Sequence, residues 1–346
     1  MVSKPIRKIY YNSWADENVY NMIREVMPPG FDLVVVDRDD DAERRLKIAD
    51  ARVAIVAATP LTRTLIEAAH NLQLVHHQGV GYQDTVDVAA LKERRLPLAL
   101  TPEGTTTPVA EITIFLMLAV LRRLTFADSE LRQGRWHINS LRPVSRNLKG
   151  RVIGYIGMGR IGQASATLAH AFGATGLYCD LVDTLDRQRA ADLSLRFATL
   201  DEVIEQSEIV TLHIPSSPAA RHIINADVIA RMKPGAVIIN TARGMLVDEN
   251  ALYEGLKSGH LGGAGLDVFE SEPPRPDNPL LQLPNVVVTP HIAGGTRDAD
   301  DAAQEALIKI VRSLPRFDGR SSFGTWAYRV ATNAALDELR KRQRRP

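Results

Sequence analysis

The sequence predicts an α/β protein with two doubly wound parallel sheets and a short helical C-terminal tail. Three observations carry this: short β-branched runs alternate with helical patterns, the alternation occurs twice, and a Thr- and Pro-rich stretch separates the two series. With 346 residues, 45% hydrophobic and 24% charged, the chain is long enough for about two domains and is excluded from the disordered, collagen-like and disulfide-scaffold classes.

In the first series a strand at 9–11 is followed by apolar runs at 33–36, 53–56, 72–75 and 98–100. Helical patterns at 18–26, 65–69 and 86–94 fall between them. Residues 101–108 break this rhythm, and a long helix is expected from there through Leu121 toward Arg132, marking a crossover between domains. The second series opens at Arg151 with a strand at 152–156 and continues with strands near 177–179, 209–213, 237–240, 264–268 and 286–289. Two sheets imply two domains with a cleft between them, at 1–100 and 101–292, with a C-terminal segment at 293–346. The apolar run 112–121 is short of the roughly 20 residues that span a bilayer and is expected to be a buried helix. Cys179 is the single cysteine, and no apolar signal core opens the chain, so a cytoplasmic location is expected.

The strand at 152–156 runs directly into Gly157-Met158-Gly159-Arg160-Ile161-Gly162 and then a helix of small residues. Strand, glycine turn and helix in this order form a dinucleotide fingerprint: Gly157 permits the tight turn, Gly159 admits a pyrophosphate to the backbone, and Gly162 lets helix and strand lie close. Asp180, at the end of the next strand, is placed to bind the ribose hydroxyls and to repel a 2′-phosphate. Leu181 and Val182 follow it rather than an arginine, so the expected cofactor is NAD.

Three later segments place polar residues just past apolar strands, at the sheet edge where open α/β folds bind ligands. They are Asn240-Thr241-Ala242-Arg243-Gly244, Gly265-Leu266-Asp267-Val268-Phe269-Glu270-Ser271-Glu272 and Thr289-Pro290-His291-Ile292-Ala293. For any one of Arg243, Glu272 or His291 alone, an ion pair or packing role would be the commoner reading; their occurrence together and in order reverses this. With Gly79-Val80-Gly81-Tyr82 and Val109-Ala110-Glu111, these segments resemble the D-isomer-specific 2-hydroxyacid dehydrogenases over about residues 6–297. The resemblance implies a flavodoxin-like substrate domain, a Rossmann NAD domain and the interconversion of a 2-keto acid and a D-2-hydroxy acid. Glyoxylate, hydroxypyruvate, phosphoglycerate and D-lactate are the kinds of substrate it implies.

Under this resemblance His291 is the acid or base, Glu272 its partner, and Arg243 the fork that grips carboxylate and carbonyl oxygens. Val80 and Gly81 offer backbone N–H groups to the substrate carboxylate, and Arg160, Ile161, Pro215, Thr241 and Asp267 join the cofactor contacts. The segment 216–220 is less polar than the family pattern, so only a backbone or Pro215 contact is carried over there. His76 and His77, beside the substrate loop, read as strand-end packing residues, and no metal-ligand spacing appears. The family commonly forms dimers through the helix after Pro108. A homodimer is therefore expected, although the same apolar face could instead pack within one chain.

The formal net charge of +1 hides two unlike parts. Residues 1–304 hold 32 Lys and Arg against 37 Asp and Glu, a charge of −5; residues 305–346 hold 10 against 4, a charge of +6. From about residue 298 the chain resembles the second half of region 2 of extracytoplasmic-function sigma factors, through the stretch Arg316-Phe317-Asp318-Gly319-Arg320-Ser321-Ser322-Phe323-Gly324-Thr325-Trp326. The alternative functions are therefore a sigma-like transcription protein that contacts nucleic acid or RNA polymerase, and a chimera whose tail has replaced the enzyme's closing helix. A passenger tail is the preferred reading, because half a helical module leaves its apolar faces uncovered.

Overall fold

The computed structural model describes residues 7–27, 30–299 and Lys309, so the tail expected from 298 lies almost wholly outside the described residues. The chain divides into two compact units, one running to Thr105 and taking in the chain again from Gly295, the other Thr106–Gly294.

The first unit runs β1 (Arg7–Tyr11), α1 (Glu17–Val26), β2 (Phe31–Val34), α2 (Asp41–Ile48), β3 (Ala51–Val56), α3 (Arg63–Ala68), β4 (Leu74–His77), α4 (Val88–Glu93) and β5 (Leu98–Leu100). Its sheet has the order β2-β1-β3-β4-β5, and every pair is parallel. Alternation assigns the faces: Ile9, Tyr11, Val53 and Ile55 enter one core, while Tyr10, Ala54 and Val56 enter the core on the other side. Helices cover both faces, which is why these strands read as nearly unbroken apolar runs. Strand β4 lies two residues later than the sequence places it, so His76 and His77 are part of the strand.

Helix α5 (Pro102–Leu121) begins within the stretch expected to be a break. Proline at its first position needs no N–H partner there, so the Thr- and Pro-rich segment forms its first turns even with Pro108 inside. Left-handed Arg123, φ +54°, ends this run, and α6 (Leu124–Arg132) is separate from it. The expected single helix to Arg132 is thus two.

The second unit continues with β6 (Val152–Ile156), α7 (Arg160–Ala171), β7 (Thr175–Cys179), α8 (Arg187–Asp192), β8 (Leu195–Phe197), α9 (Leu200–Gln206), β9 (Ile209–Leu212), α10 (Ala226–Arg231), β10 (Ala236–Asn240), α11 (Glu249–Lys257), β11 (Leu261–Leu266) and β12 (Val286–Val288). The parallel sheet has the order β12-β11-β10-β9-β6-β7-β8, reversing direction between β6 and β9. Such a switch point opens a crevice at the carboxyl ends of the two strands.

Leu116, Met117 and Val120 of α5 pack in one core with Ile153, Ile209, Ile239 and Val287 of this sheet. A Cβ on Gly263 would stand 2.6 Å from a Val120 methyl, and one on Gly265 would stand 2.9 Å from the Leu116 Cβ, so these bare positions in β11 let the helix lie on the strand. Gly104–Leu121 is apolar and long enough to cross a membrane, yet 61% of it is buried inside the protein. The run 112–121, expected to be a buried helix, packs against its own sheet.

Candidate active site

The glycine turn forms at the switch point. Gly157 has φ +95°, and a Cβ there would lie 2.7 Å from the His213 carbonyl oxygen at the end of β9. A Cβ on Gly162 would collide with the Gly157 carbonyl oxygen, whereas one on Gly159 would meet nothing within 4 Å. The turn is therefore closed on its protein side and open where a phosphate would approach the N-terminus of α7. Asp180 accepts hydrogen bonds from the Met158 N–H at 2.8 Å and the Leu181 N–H at 2.7 Å, one on each carboxylate oxygen. Lone pairs remain on both oxygens for ribose hydroxyls. Leu181 and Val182 stand 99% and 66% exposed beside it, with no basic side chain in place of either.

Thr241, at the end of β10, shares a buried 2.9 Å hydrogen bond with Thr113 of α5. The Thr113 hydroxyl already donates to the Val109 carbonyl, so Thr241 is the donor in this pair and its oxygen offers lone pairs to any further partner. These groups together fit a dinucleotide: an open glycine turn, a helix N-terminus, a carboxylate and a buried acceptor.

The next turn carries Arg243. Asn240 holds it, its carboxamide accepting from the Ala242 N–H at 3.0 Å and donating to the Arg243 carbonyl at 2.9 Å. A Cβ on Gly244 would collide with the Phe269 carbonyl, so the Arg243 turn rests directly on the backbone leading to Glu272. The Phe269 N–H donates to Glu272 at 3.0 Å, and the other Glu272 oxygen lies 2.6 Å from His291 Nδ1.

His291 sits in the left-handed region, φ +52°, and the backbone around it is tied to one buried residue. The Asp267 carboxylate accepts from the Thr289 hydroxyl at 2.6 Å and from the N–H groups of Ile292 and Ala293, each at 2.9 Å. Its carbonyl accepts from the His291 N–H at 2.8 Å. Asp267 is fully buried, and its carboxylate anchors the loop that carries the histidine. Neither this anchoring nor the clamp by Asn240 is apparent from sequence spacing. An Asn at a strand end before a turn is the one signal that points to the clamp.

The hydrogen bond that His291 donates to the Glu272 carboxylate raises the pKa of His291, outweighing burial and the opposing charge of Arg243. Burial alone would raise the Glu272 carboxyl, but the bonds from His291 and the Phe269 N–H bring it below its ordinary value. His213, given no role from sequence, stacks on Tyr155, and burial pushes its pKa down to about 3. In the first unit His76 is buried and likewise held near 3, and the Val80–Gly81 loop follows β4 directly.

A family model described as D-isomer specific 2-hydroxyacid dehydrogenase, NAD binding domain, matches residues 114–293, and one described as Sigma-70 region 2 matches 290–345. Hydroxypyruvate reductase of Thermotoga maritima is 40% identical over 77% of this chain and 86% of its own length. Glyoxylate reductase of Korarchaeum cryptofilum is 38% identical over 79% and 81%. D-3-phosphoglycerate dehydrogenase of Methanocaldococcus jannaschii is 39% identical over 78% of this chain, which spans about half (51%) of that relative's length. The crystal structure of TT0316 protein from Thermus thermophilus superposes with a TM-score of 0.79 at 31% identity, covering 91% of this chain and 98% of that one. The match spans the glycine turn, Asp180, Arg243, Glu272 and His291 together, and the chain belongs to the D-isomer specific 2-hydroxyacid dehydrogenase family, with an NAD-binding second unit.

Proposed function

We propose that this protein interconverts a small 2-keto acid and the corresponding D-2-hydroxy acid, with His291 as acid and base. The observation that carries the reading is the 2.6 Å contact between His291 Nδ1 and Glu272. That bond occupies Nδ1 and leaves Nε2 to exchange a proton with substrate oxygen. When bound, the cofactor would supply a hydride as NADH to the keto acid carbon, or accept one as NAD+ from the hydroxy acid. In reduction, His291 Nε2 delivers a proton to the carbonyl oxygen; in oxidation it takes the hydroxyl proton.

Arg243 would hold carboxylate and carbonyl oxygens, and the Val80 and Gly81 N–H groups would be further donors to the carboxylate. Gly157, Gly159, Arg160, Ile161 and Gly162 would hold the pyrophosphate, Asp180 the ribose and Thr241 the nicotinamide ribose, with a further cofactor contact at Pro215. Asp267, expected among the cofactor contacts, enters this scheme instead through the His291 loop that its buried carboxylate anchors. Hydroxypyruvate and glyoxylate, the compounds in two relatives' names, are the first substrates to assay. A cytoplasmic homodimer completes the proposal, with exposed Leu131, Trp136 and Ile138 as apolar side chains for self-association.

NADH consumption with a panel of 2-keto acids tests this reading. His291→Ala is expected to lower kcat/KM by about 10³-fold while NADH binding persists. Turnover in that variant equal to the parent's would remove His291 from the chemistry.

A second reading has its own observation, the Sigma-70 region 2 match over 290–345. In that reading the basic tail binds RNA polymerase or melted promoter DNA.

A further inference from the structure

The loop at 78–81 leaves β4 at His77, and its geometry depends on that side chain. The Gly79 N–H donates to His77 Nδ1 at 2.9 Å, so Nδ1 carries a lone pair and the ring proton sits on Nε2. Nε2 lies 2.9 Å from the Thr85 hydroxyl, to which it therefore donates. The Thr85 hydroxyl in turn donates to the Gly81 carbonyl at 3.2 Å. The direction of every proton in this chain of bonds is set by the first of them.

The chain of bonds is fixed at both ends. His77 is 6% exposed at the end of a central strand, and the Thr85 carbonyl accepts from the N–H of fully buried Leu61 at 2.8 Å. Gln78 is secured separately, its N–H bonded to the Val56 carbonyl and its side chain to the Tyr11 hydroxyl. Beyond Gln78, His77 and Thr85 pin the N–H of Gly79 and the C=O of Gly81. Those two groups belong to the peptides immediately before and after the two whose N–H groups are contributed by Val80 and Gly81.

We propose that His77 is a positioning residue for substrate: its imidazole, with Thr85, sets the direction of the Val80 and Gly81 N–H groups that receive the 2-keto acid carboxylate. The inference rests on the carboxylate-gripping role given above to that loop. Sequence alone reads His77 as packing, because neither hydrogen bond is implied by its place in the strand.

The test separates binding from chemistry. His77→Leu and Thr85→Val are each expected to raise KM for the keto acid about tenfold, with kcat and NADH affinity within about twofold of the parent. His77→Gln keeps one acceptor and one donor at similar spacing, and Thr85→Ser keeps the hydroxyl, so both should restore KM to within about threefold of the parent. The Leu/Val double variant should bind substrate no worse than either single one, because either change breaks the same chain of bonds. If His77→Leu does not fold, the Thr85 pair carries the test.

Gly81→Pro deletes one of the receiving N–H groups and serves as the control. A raised KM in Gly81→Pro with an unchanged KM in His77→Leu and Thr85→Val overturns the positioning role alone. An unchanged KM in Gly81→Pro overturns the loop's carboxylate role, and the inference with it. A loss in His77→Leu that falls on kcat or NADH affinity, or that His77→Gln fails to repair, also overturns the inference.

Discussion

The contact between His291 Nδ1 and the Glu272 carboxylate sets the pH range over which the second ring proton, on Nε2, is held. An imidazole ordinarily titrates near 6.5, and the Glu272 hydrogen bond raises His291 above that value. The imidazolium thus persists at pH values where a free histidine is already neutral. In the proposed reduction the imidazolium is consumed, so kcat/KM for the keto acid should hold through 6.5 and fall as pH rises through the raised pKa. Oxidation needs the neutral ring and should rise over the same interval. In Glu272→Gln the charge is lost, and both limbs should move to lower pH in pH–rate profiles; unmoved limbs would remove Glu272 from this role. His291, Glu272 and Arg243 are legible in the sequence because each follows an apolar strand within a specific segment. Asn240 and the anchoring by Asp267 are not, since they depend on which backbone N–H groups surround a side chain, and spacing does not encode that.

Among the elements, those with continuous apolar runs are legible and those shaped by caps or charge are not. Helix α2 reads as polar, with Asp41, Glu43, Arg44, Arg45 and Lys47 in eight residues. It forms because the Asp40 side chain caps the Glu43 N–H and because Ile48 and Arg44 turn inward. The start of α5 is hidden by the usual meaning of proline as a breaker, which does not hold in a first turn. The packing of α5 on β11 gives a direct prediction. Gly263→Ala would bring a Cβ to 2.6 Å from Val120 and 2.7 Å from the Asn285 carbonyl oxygen. The helix must then lift from the strand, at a cost of about 2 kcal/mol, seen as a lower thermal midpoint than the parent's. Alanine at Gly159, where a Cβ meets nothing within 4 Å, is the matched control for stability. Equal midpoints for Gly263→Ala and the parent would contradict this account of the helix–strand contact.

For the molecule as a whole, the net charge of +1 sums an acidic stretch at 1–304 and a basic one at 305–346, and the charge division at Gln304 falls within the stretch matched by Sigma-70 region 2. Both parts are legible because each keeps its own motifs; the consequence of joining them is not, because it depends on contacts rather than composition. Truncation after Arg297 decides between the two readings. The dehydrogenase reading expects no salt-sensitive binding of the full chain to promoter DNA or core RNA polymerase. Binding that disappears on truncation would establish the sigma-like role instead. Light scattering on the same preparations should give twice the 38.1 kDa chain mass for the full chain, and a monomer mass would exclude the homodimer.

The Asp267 anchor bears on how a chain of this fold would tolerate a change of sequence near its end. The last N–H that fastens the histidine loop belongs to Ala293, and the second unit closes one residue later, at Gly294. Among the described residues, the Asp267 bonds that fasten the His291 loop are therefore all encoded before that point. A recombination or frame change just downstream would leave these bonds around the proposed acid–base pair encoded. The same position offers a natural graft site, where a foreign segment can be appended without altering the residues that bond the His291 loop to Asp267.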